Sequence, residues 1–465
     1  MNSSAITIKR HIPWTFFTAY FTNQIGSALT LLFLTAFLTD FMGMSPANMV
    51  TALTVARMGD LLVAFFAGAI VQKTNMRFGQ FRSWLLIIMP IVQSACFLIF
   101  LNPSLSAQGK VVFVCIAYFF TSAPMNIFVV VHNSLMAKIS GPNMANRLAI
   151  TAKLFQGIQF ATIVASIATL RLVRFFDPAM VRGFPIVAAL FGSFALGGQL
   201  LMFVVTKEYD VHDPGLKEKA GSTQNVRLLQ MFRQTLKNVQ LWIVLVADIL
   251  RQTAVFVLSA MLSYYFIYHV GDYVKMSDGL LIQSVCSCTA AFTVGPWLAK
   301  RLGKKRACIA SGVVAAVAYT AIILIGKESW YHYIACTSIA AMGLSMLGTV
   351  GIQLYLDVGE YQLFKTGQDN RPYVMSLQMV PMKVGMMLSA PIVAWMLKQA
   401  GYRQYEGGMP PTMADPGHMI LLIGGIAAAL YGAYVLMMLL FGINEEQSKR
   451  YAAENQLRAQ QAANK

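Results

Sequence analysis

Charge is scarce in this 465-residue sequence: Asp, Glu, Lys and Arg together make up 12% of it, about half the share found in a soluble globular chain. Acidic residues are the scarcer sign, 19 against 36 basic ones. Cysteine is scarce too. The six, Cys96, Cys115, Cys286, Cys288, Cys308 and Cys336, fall in or beside apolar segments. The near pair Cys286 and Cys288 would leave a helix from different faces, so no metal-ligand spacing stands out and neither a metal nor a cofactor is expected. Glycine-rich stretches such as Gly424-Gly425 follow no nucleotide motif and suit close helix approach instead. No nucleophile–base constellation points to an enzyme. The long apolar segment after Lys9 and Arg10 has no small-residue cleavage site at a suitable distance, so it reads as a span and not as a cleavable signal.

Apolar residues are plentiful, at 57%, and the mean hydropathy is positive. Such a chain is an all-α membrane protein, with its 28 Met and 30 Phe spent on lipid contact and packing. A span needs about 20 apolar residues, and twelve segments qualify: 14–40, 46–71, 84–102, 111–135, 147–172, 183–206, 240–268, 279–299, 307–326, 331–356, 373–398 and 417–442. The only long polar connection, 207–239, separates an N-terminal six-helix bundle (1–206) from a C-terminal one (240–442), and a tail follows at 443–465. With both termini cytoplasmic, the inner segments hold 24 Lys and Arg and the outer loops seven. That asymmetry sets the orientation and accounts for the net charge of +17 without nucleic acid; the expected location is the cell (inner) membrane.

Five basic residues are left inside spans: Arg57, Lys153, Arg171, Arg251 and Lys383. A charge at the centre of a bilayer costs about 2.5–3.5 kcal/mol even on the lenient insertion scale, so each needs a partner or a task. Arg57 and Asp60, and likewise Asp248 and Arg251, stand three residues apart and share a helix face, where they could neutralise each other. Lys153 and Lys383 have no acidic neighbour on their own helices. At 1.5 Å per residue, all of these except Arg171 fall near the middle of the membrane, and their sum is positive. Arg171 lies near the outer end of its span and is expected to snorkel. His132 reads as a packed histidine, and the tryptophans as belts at span ends.

The stretch from Arg57 to Trp84 joins a charged span to a basic loop, Arg77-Phe78-Gly79-Gln80-Phe81-Arg82. A second basic loop, Leu302-Gly303-Lys304-Lys305-Arg306, follows the eighth span. Equivalent loops in two six-span halves suit a duplicated transporter with its site between the repeats. Asp357 and Glu360, at the inner end of the tenth span, could clamp Arg77, Arg82 and the other basic loop residues in a closed gate.

Further motifs make the likeness specific: Thr39-Asp40 with Gly43, Arg57-x-x-Asp60, Asp357-Val358-Gly359-Glu360-Tyr361, Lys365-Thr366-Gly367, Ser376-Leu377-Gln378 and Lys383-Val384-Gly385. Over nearly its whole length the chain resembles the glycoside–pentoside–hexuronide:cation symporter family. The resemblance implies a twelve-helix major facilitator fold of two six-helix bundles and sugar transport coupled to sodium, lithium or a proton. Arg57 and Asp60 match the family's second-helix arginine and first cation-site aspartate, and the second cation-site aspartate falls at Ala64. The sugar-binding aspartate of the first helix falls near Gln24, and the acidic residue and tryptophan of the fourth near Val129 and Asn133. Lys153 matches the fifth-helix basic residue and Lys383 the eleventh-helix lysine.

The cationic side of the family's site is thus kept while most of its acids are lost. The expected activity is secondary transport, by a monomer in the lipid bilayer, of a small, anionic, sugar-like solute such as a hexuronide or glycoside acid. Lys153, Lys383, Arg57, Gln24 and Asn133 are the expected substrate residues, with Asp248 and Arg251 in reserve. With one obvious carboxylate, Asp60, a proton suits the coupling role better than sodium. Two other readings are an amphiphilic anion such as a lysolipid, which Ala64 and Val129 would suit, and a transporter-like ligand sensor.

Overall fold

The structure is a computed structural model that describes residues 8–74, 76–140, 144–210, 238–294, 298, 301–345, 347–367, 374, 377–403 and 411–463. Most of the long connection 207–239, together with Lys300, Arg371 and Ser376, lies outside the described residues.

Helices dominate. In chain order they are α1 (His11–Leu32), α2 (Pro46–Lys73), α3 (Arg82–Ile99), α4 (Ala107–Ser140), α5 (Met144–Phe176), α6 (Gly183–Val205), α7 (Val239–Tyr264), α8 (Lys275–Phe292), α9 (Lys304–Ile325), α10 (Trp330–Ser345), α11 (Leu347–Thr366), α12 (Met379–Gln399), α13 (Pro416–Leu440) and α14 (Glu445–Ala463). A hairpin of two short strands, β1 (Tyr402–Arg403) and β2 (Thr412–Met413), pairs antiparallel. Among the described residues nine helical segments are long and apolar enough to cross a membrane, or ten when α1 is joined to its bent continuation, which ends at Phe41. The two other expected spans, at 279–299 and 331–356, overlap α8 and α10 plus α11, where residues 295–297, 299–300 and 346 are not described.

Helix starts follow local chemistry. Ser45 caps α2, its hydroxyl accepting from the Asn48 N–H, with Pro46 behind it, and Asp415 caps α13 through the His418 N–H, with Pro416 behind it. Both use a short oxygen acceptor followed by a proline whose missing N–H costs nothing there. Two stretches wind as π-helix, Phe37–Phe41 after α1 and Tyr265–Val270 after α7.

The described chain forms two compact units. Unit 1 comprises Met1–Gly221, Leu262–Leu281 and Tyr402–Ala414, and unit 2 comprises Ser222–Met261, Ile282–Gly401 and Asp415–Lys465. In unit 1, α1 lies along α5 and α6, and α4 along α2 and α3. Its core joins Ile12, Phe16, Leu85, Met89, Val131, Leu135 and Ile150. In unit 2, α9 packs between α13 and α10, and α11 against the terminal helix α14. Leu241, Val244, Leu354, Val358 and Met438 centre that core.

Small residues set two close approaches. A Cβ on Gly157 of α5 would stand 2.5 Å from the Phe17 carbonyl oxygen of α1, and one on Gly385 of α12 would stand 2.8 Å from the Thr253 backbone nitrogen of α7. Neither neighbour is a side chain that can turn away. Gly157→Val is therefore expected to cost about 1–3 kcal/mol by overpacking, read as a lower midpoint of thermal unfolding in detergent, while Gly425→Ala, where a Cβ meets nothing within 4 Å, does not lower it.

Candidate functional site

In unit 1 the in-span charges sit on α2 and α5. Asp60 is buried, and the Asn126 amide of α4 donates to its Oδ1 at 2.5 Å and to its backbone carbonyl at 3.2 Å. Arg57, one turn earlier, is half-buried; its Nε donates to the Tyr118 hydroxyl at 3.3 Å and its guanidinium lies 5.5 Å from the Tyr118 ring centroid. The helical spacing that puts both charges on one face of α2 also lets α4 supply polar partners two turns apart, Tyr118 and Asn126.

Lys153 is held differently. Its Nζ donates to Gln156 Oε1 at 2.9 Å and stands 3.8 Å from the centre of the Trp14 ring. Among the described residues these are its partners, and neither is a carboxylate. An ammonium over an indole keeps a favourable interaction of about 0.5–2 kcal/mol without losing its charge. Trp14 was legible only as a belt residue, since cation–π pairing across two helices leaves no mark on spacing.

Gln24 is half-buried on α1 and Asn133 is exposed on α4. His132 is buried, its Nε2 at 3.0 Å from Gln199 Oε1 and its ring among Phe16, Tyr20 and Phe128. Arg171, near the outer end of its span, pairs with Asp278, in the part of α8 that belongs to unit 1.

The end of the first span forms a second polar cluster in unit 1. Asp40 Oδ1 accepts from the Tyr402 hydroxyl at 2.7 Å and from Thr39 at 3.0 Å, and Thr39 meets the Tyr264 hydroxyl at 2.8 Å. Burial, with the Asp40 carboxylate beside it, raises the Tyr402 phenol above its ordinary range. Sequence reading noted Thr39-Asp40 but could not place tyrosines 225 and more residues away beside it.

A third cluster ties loops together. Asp210, fully buried, accepts from the backbone N–H groups of Phe81 (2.7 Å) and Arg82 (2.8 Å) at the start of α3 and from Lys138 Nζ (2.8 Å). Arg82 donates to the carbonyls of Phe203 (2.8 Å) and Phe78 (3.1 Å). Arg77 is exposed, near the Phe78 ring.

Unit 2 holds the remaining expected residues. Asp248 and Arg251 form an ion pair along α7 at 2.5 Å. Lys383 is half-buried on α12. Asp357 takes Lys304 of the second basic loop at 2.8 and 3.0 Å, and the Ser448 hydroxyl of α14 at 2.6 Å; Glu360 accepts from Asn455 of α14 at 2.8 Å on its side chain and 3.0 Å on its backbone. The contribution of the terminal helix was not foreseen, because its polar face reads as a solvated tail. Among the described residues no group of three or more His, Cys, Asp or Glu is placed to hold a metal ion.

Residues 16–445 match the family described as MFS/sugar transport protein. The chain is 22% identical to the isoprimeverose transporter of Lactiplantibacillus pentosus, over 99% of this chain and 95% of that one. It is 24% identical to the glucuronide carrier protein homolog of Escherichia coli (strain K12), over 82% and 81%. In three dimensions it resembles a variant of the nucleoside transporter NupG with a TM-score of 0.63, at 12% identity, covering 92% of this chain and 99% of that one, which speaks to the fold alone.

Asp210 satisfies two helix-end N–H groups and one ammonium at once, so Asp210→Ala is expected to lower stability by about 1–3 kcal/mol. Lys138→Ala, which removes only the 40% exposed partner, is expected to cost less than half as much. Unfolding midpoints of the two purified variants check the order.

Proposed function

Because the chain belongs to the glycoside–pentoside–hexuronide:cation symporter family within the MFS sugar transport proteins, we propose that its solute is an anionic sugar, of the hexuronide or glycoside-acid kind, and that its coupling ion is a proton. It is a multi-pass membrane transporter of sugar-like solutes and not an enzyme. The lysolipid and sensor readings are not favoured beside relatives that carry sugars.

The observation that carries the anionic solute is Lys153: a cation within a span whose described partners are an amide and an aromatic ring. A carboxylate on the solute offers it a charge-assisted bond that neither present partner can match, worth about 1.5–3 kcal/mol. Lys383 and Arg57 add positive charge, and Gln24 and Asn133 supply amides for sugar hydroxyls. Asp60 is the coupling group. The position of the family's second cation-site aspartate is Ala64 here, and sodium wants several oxygens, whereas a proton needs one titratable group. Protonating Asp60 removes the negative charge near Arg57 and lets the guanidinium turn to the solute, which ties the two fluxes together.

The cycle runs between two six-span halves, 1–206 and 240–442, in a monomer in the cell inner membrane with both termini in the cytoplasm. Asp357, Glu360, Arg77 and Arg82 work at the gate on that side.

Uptake of a radiolabelled methyl glucuronide into proteoliposomes under an imposed proton gradient tests this. Wild type is expected to concentrate the glucuronide and not methyl glucoside. Lys153→Met should lose about ten- to a hundredfold of that uptake, from the energy above, and Lys153→Arg should keep most of it. Asp60→Asn should equilibrate the glucuronide without concentrating it. Equal transport of both glycosides, or an Asp60→Asn variant still driven by the proton gradient, overturns the reading.

A further inference from the structure

The ion pair on α7 shares no residue with the site just proposed and has a cavity of its own. Asp248 and Arg251 keep only 18% and 21% of their side chains exposed. Both contacts from the guanidinium, Nε at 2.7 Å and one Nη at 2.5 Å, end on the same carboxylate oxygen, Oδ1. An arginine–carboxylate fork ordinarily uses both oxygens. Here Oδ2 is left with one long bond, from the Tyr355 hydroxyl at 3.3 Å. The remaining guanidinium N–H groups have no acceptor among the described residues.

These spare donors and the spare oxygen border a cavity of about 80 Å³, lined also by Cys308, Tyr355, Gln378 and Tyr434. It has room for more than one water or for the carboxylate of a small acid. The pair itself is neutral. An anion that takes the unused guanidinium donors leaves the cluster with a net negative charge away from bulk water, where an uncompensated charge is costly. A proton on Asp248 Oδ2 restores neutrality, and the Tyr355 hydroxyl, which can donate or accept, turns to accept it. The other titratable groups facing the pair are Tyr434, Tyr431 and Cys308. All three are neutral acids with nothing to gain by taking a proton, so Asp248 is the group that receives it.

We propose that the Asp248–Arg251 pair of unit 2 is a second ion-binding site, which takes one small carboxylate on Arg251 and one proton on Asp248 as a unit. By linkage, each ligand raises the affinity for the other.

Acetate is the probe. Titration calorimetry of the full-length protein in two buffers of different ionisation enthalpy is expected to show about one proton taken up for each acetate bound. The apparent affinity should fall up to about tenfold per pH unit as pH rises. In thermal unfolding, with ionic strength held by a sulfonate too bulky for the cavity, acetate should raise the midpoint of the wild type more at pH 6 than at pH 8. Asp248→Asn should respond equally at both pH values, and Arg251→Gln at neither. Acetate binding without proton uptake by the wild type, or no acetate binding at all, overturns the proposal whatever the variants do. A response that survives Arg251→Gln and disappears in Lys153→Met places the anion in unit 1, which sinks this proposal and leaves the preceding one standing.

Discussion

A charge in an apolar span must be met by something, and the solutions this chain adopts differ in ways that set what each residue can do. Asp248 and Arg251 meet each other. Asp60 meets an amide from a neighbouring helix, Arg57 a phenol, and Lys153 an indole and an amide. The first arrangement cancels charge. Lys153 instead spreads its charge over a dipole and a ring, which lowers the cost of burial while leaving a field for a ligand of opposite sign. A soluble protein could leave such groups to water; a span cannot, and so the identity of the partner carries functional meaning.

The same logic orders the ends of the helices. Asp210 and Asp357 each gather several donors, from backbone N–H groups or a hydroxyl and from a lysine, Lys138 in the last turn of α4 or Lys304 of the second basic loop. Loop lysines and arginines are placed by the membrane field, but once there they require counter-charges, and 19 acidic residues are few. Each buried aspartate therefore serves more than one element.

Much of the fold was legible because hydropathy and span length are local properties. Helices α2, α6, α9 and α13 start and stop within a few residues of the segments expected from the apolar runs. The three-residue spacing of Asp248 and Arg251 disclosed a pair that does form. The same spacing at Arg57 and Asp60 said nothing of Tyr118 or Asn126, which come from α4. Cross-helix partners depend on how helices rotate about their axes, and no period in the sequence records that rotation. Arg171 shows the limit well: its position near a span end was legible, its Asp278 partner more than a hundred residues away was not. The contribution of α14 was missed for a related reason, since a polar helix looks the same in sequence whether it faces water or answers Asp357 and Glu360.

The two units are not two consecutive lengths of chain. Residues 262–281 and 402–414 return to unit 1 after the backbone has entered unit 2, so the chain passes between the units five times. The contacts of Thr39 with Tyr264, Asp40 with Tyr402 and Arg171 with Asp278 are made by these returning segments. Severing the backbone once in the central connection would therefore leave an N-terminal fragment still bound to its own unit through side chains carried by the other fragment. Co-expressed as two polypeptides, the halves have the makings of a split protein that reassembles without a tether.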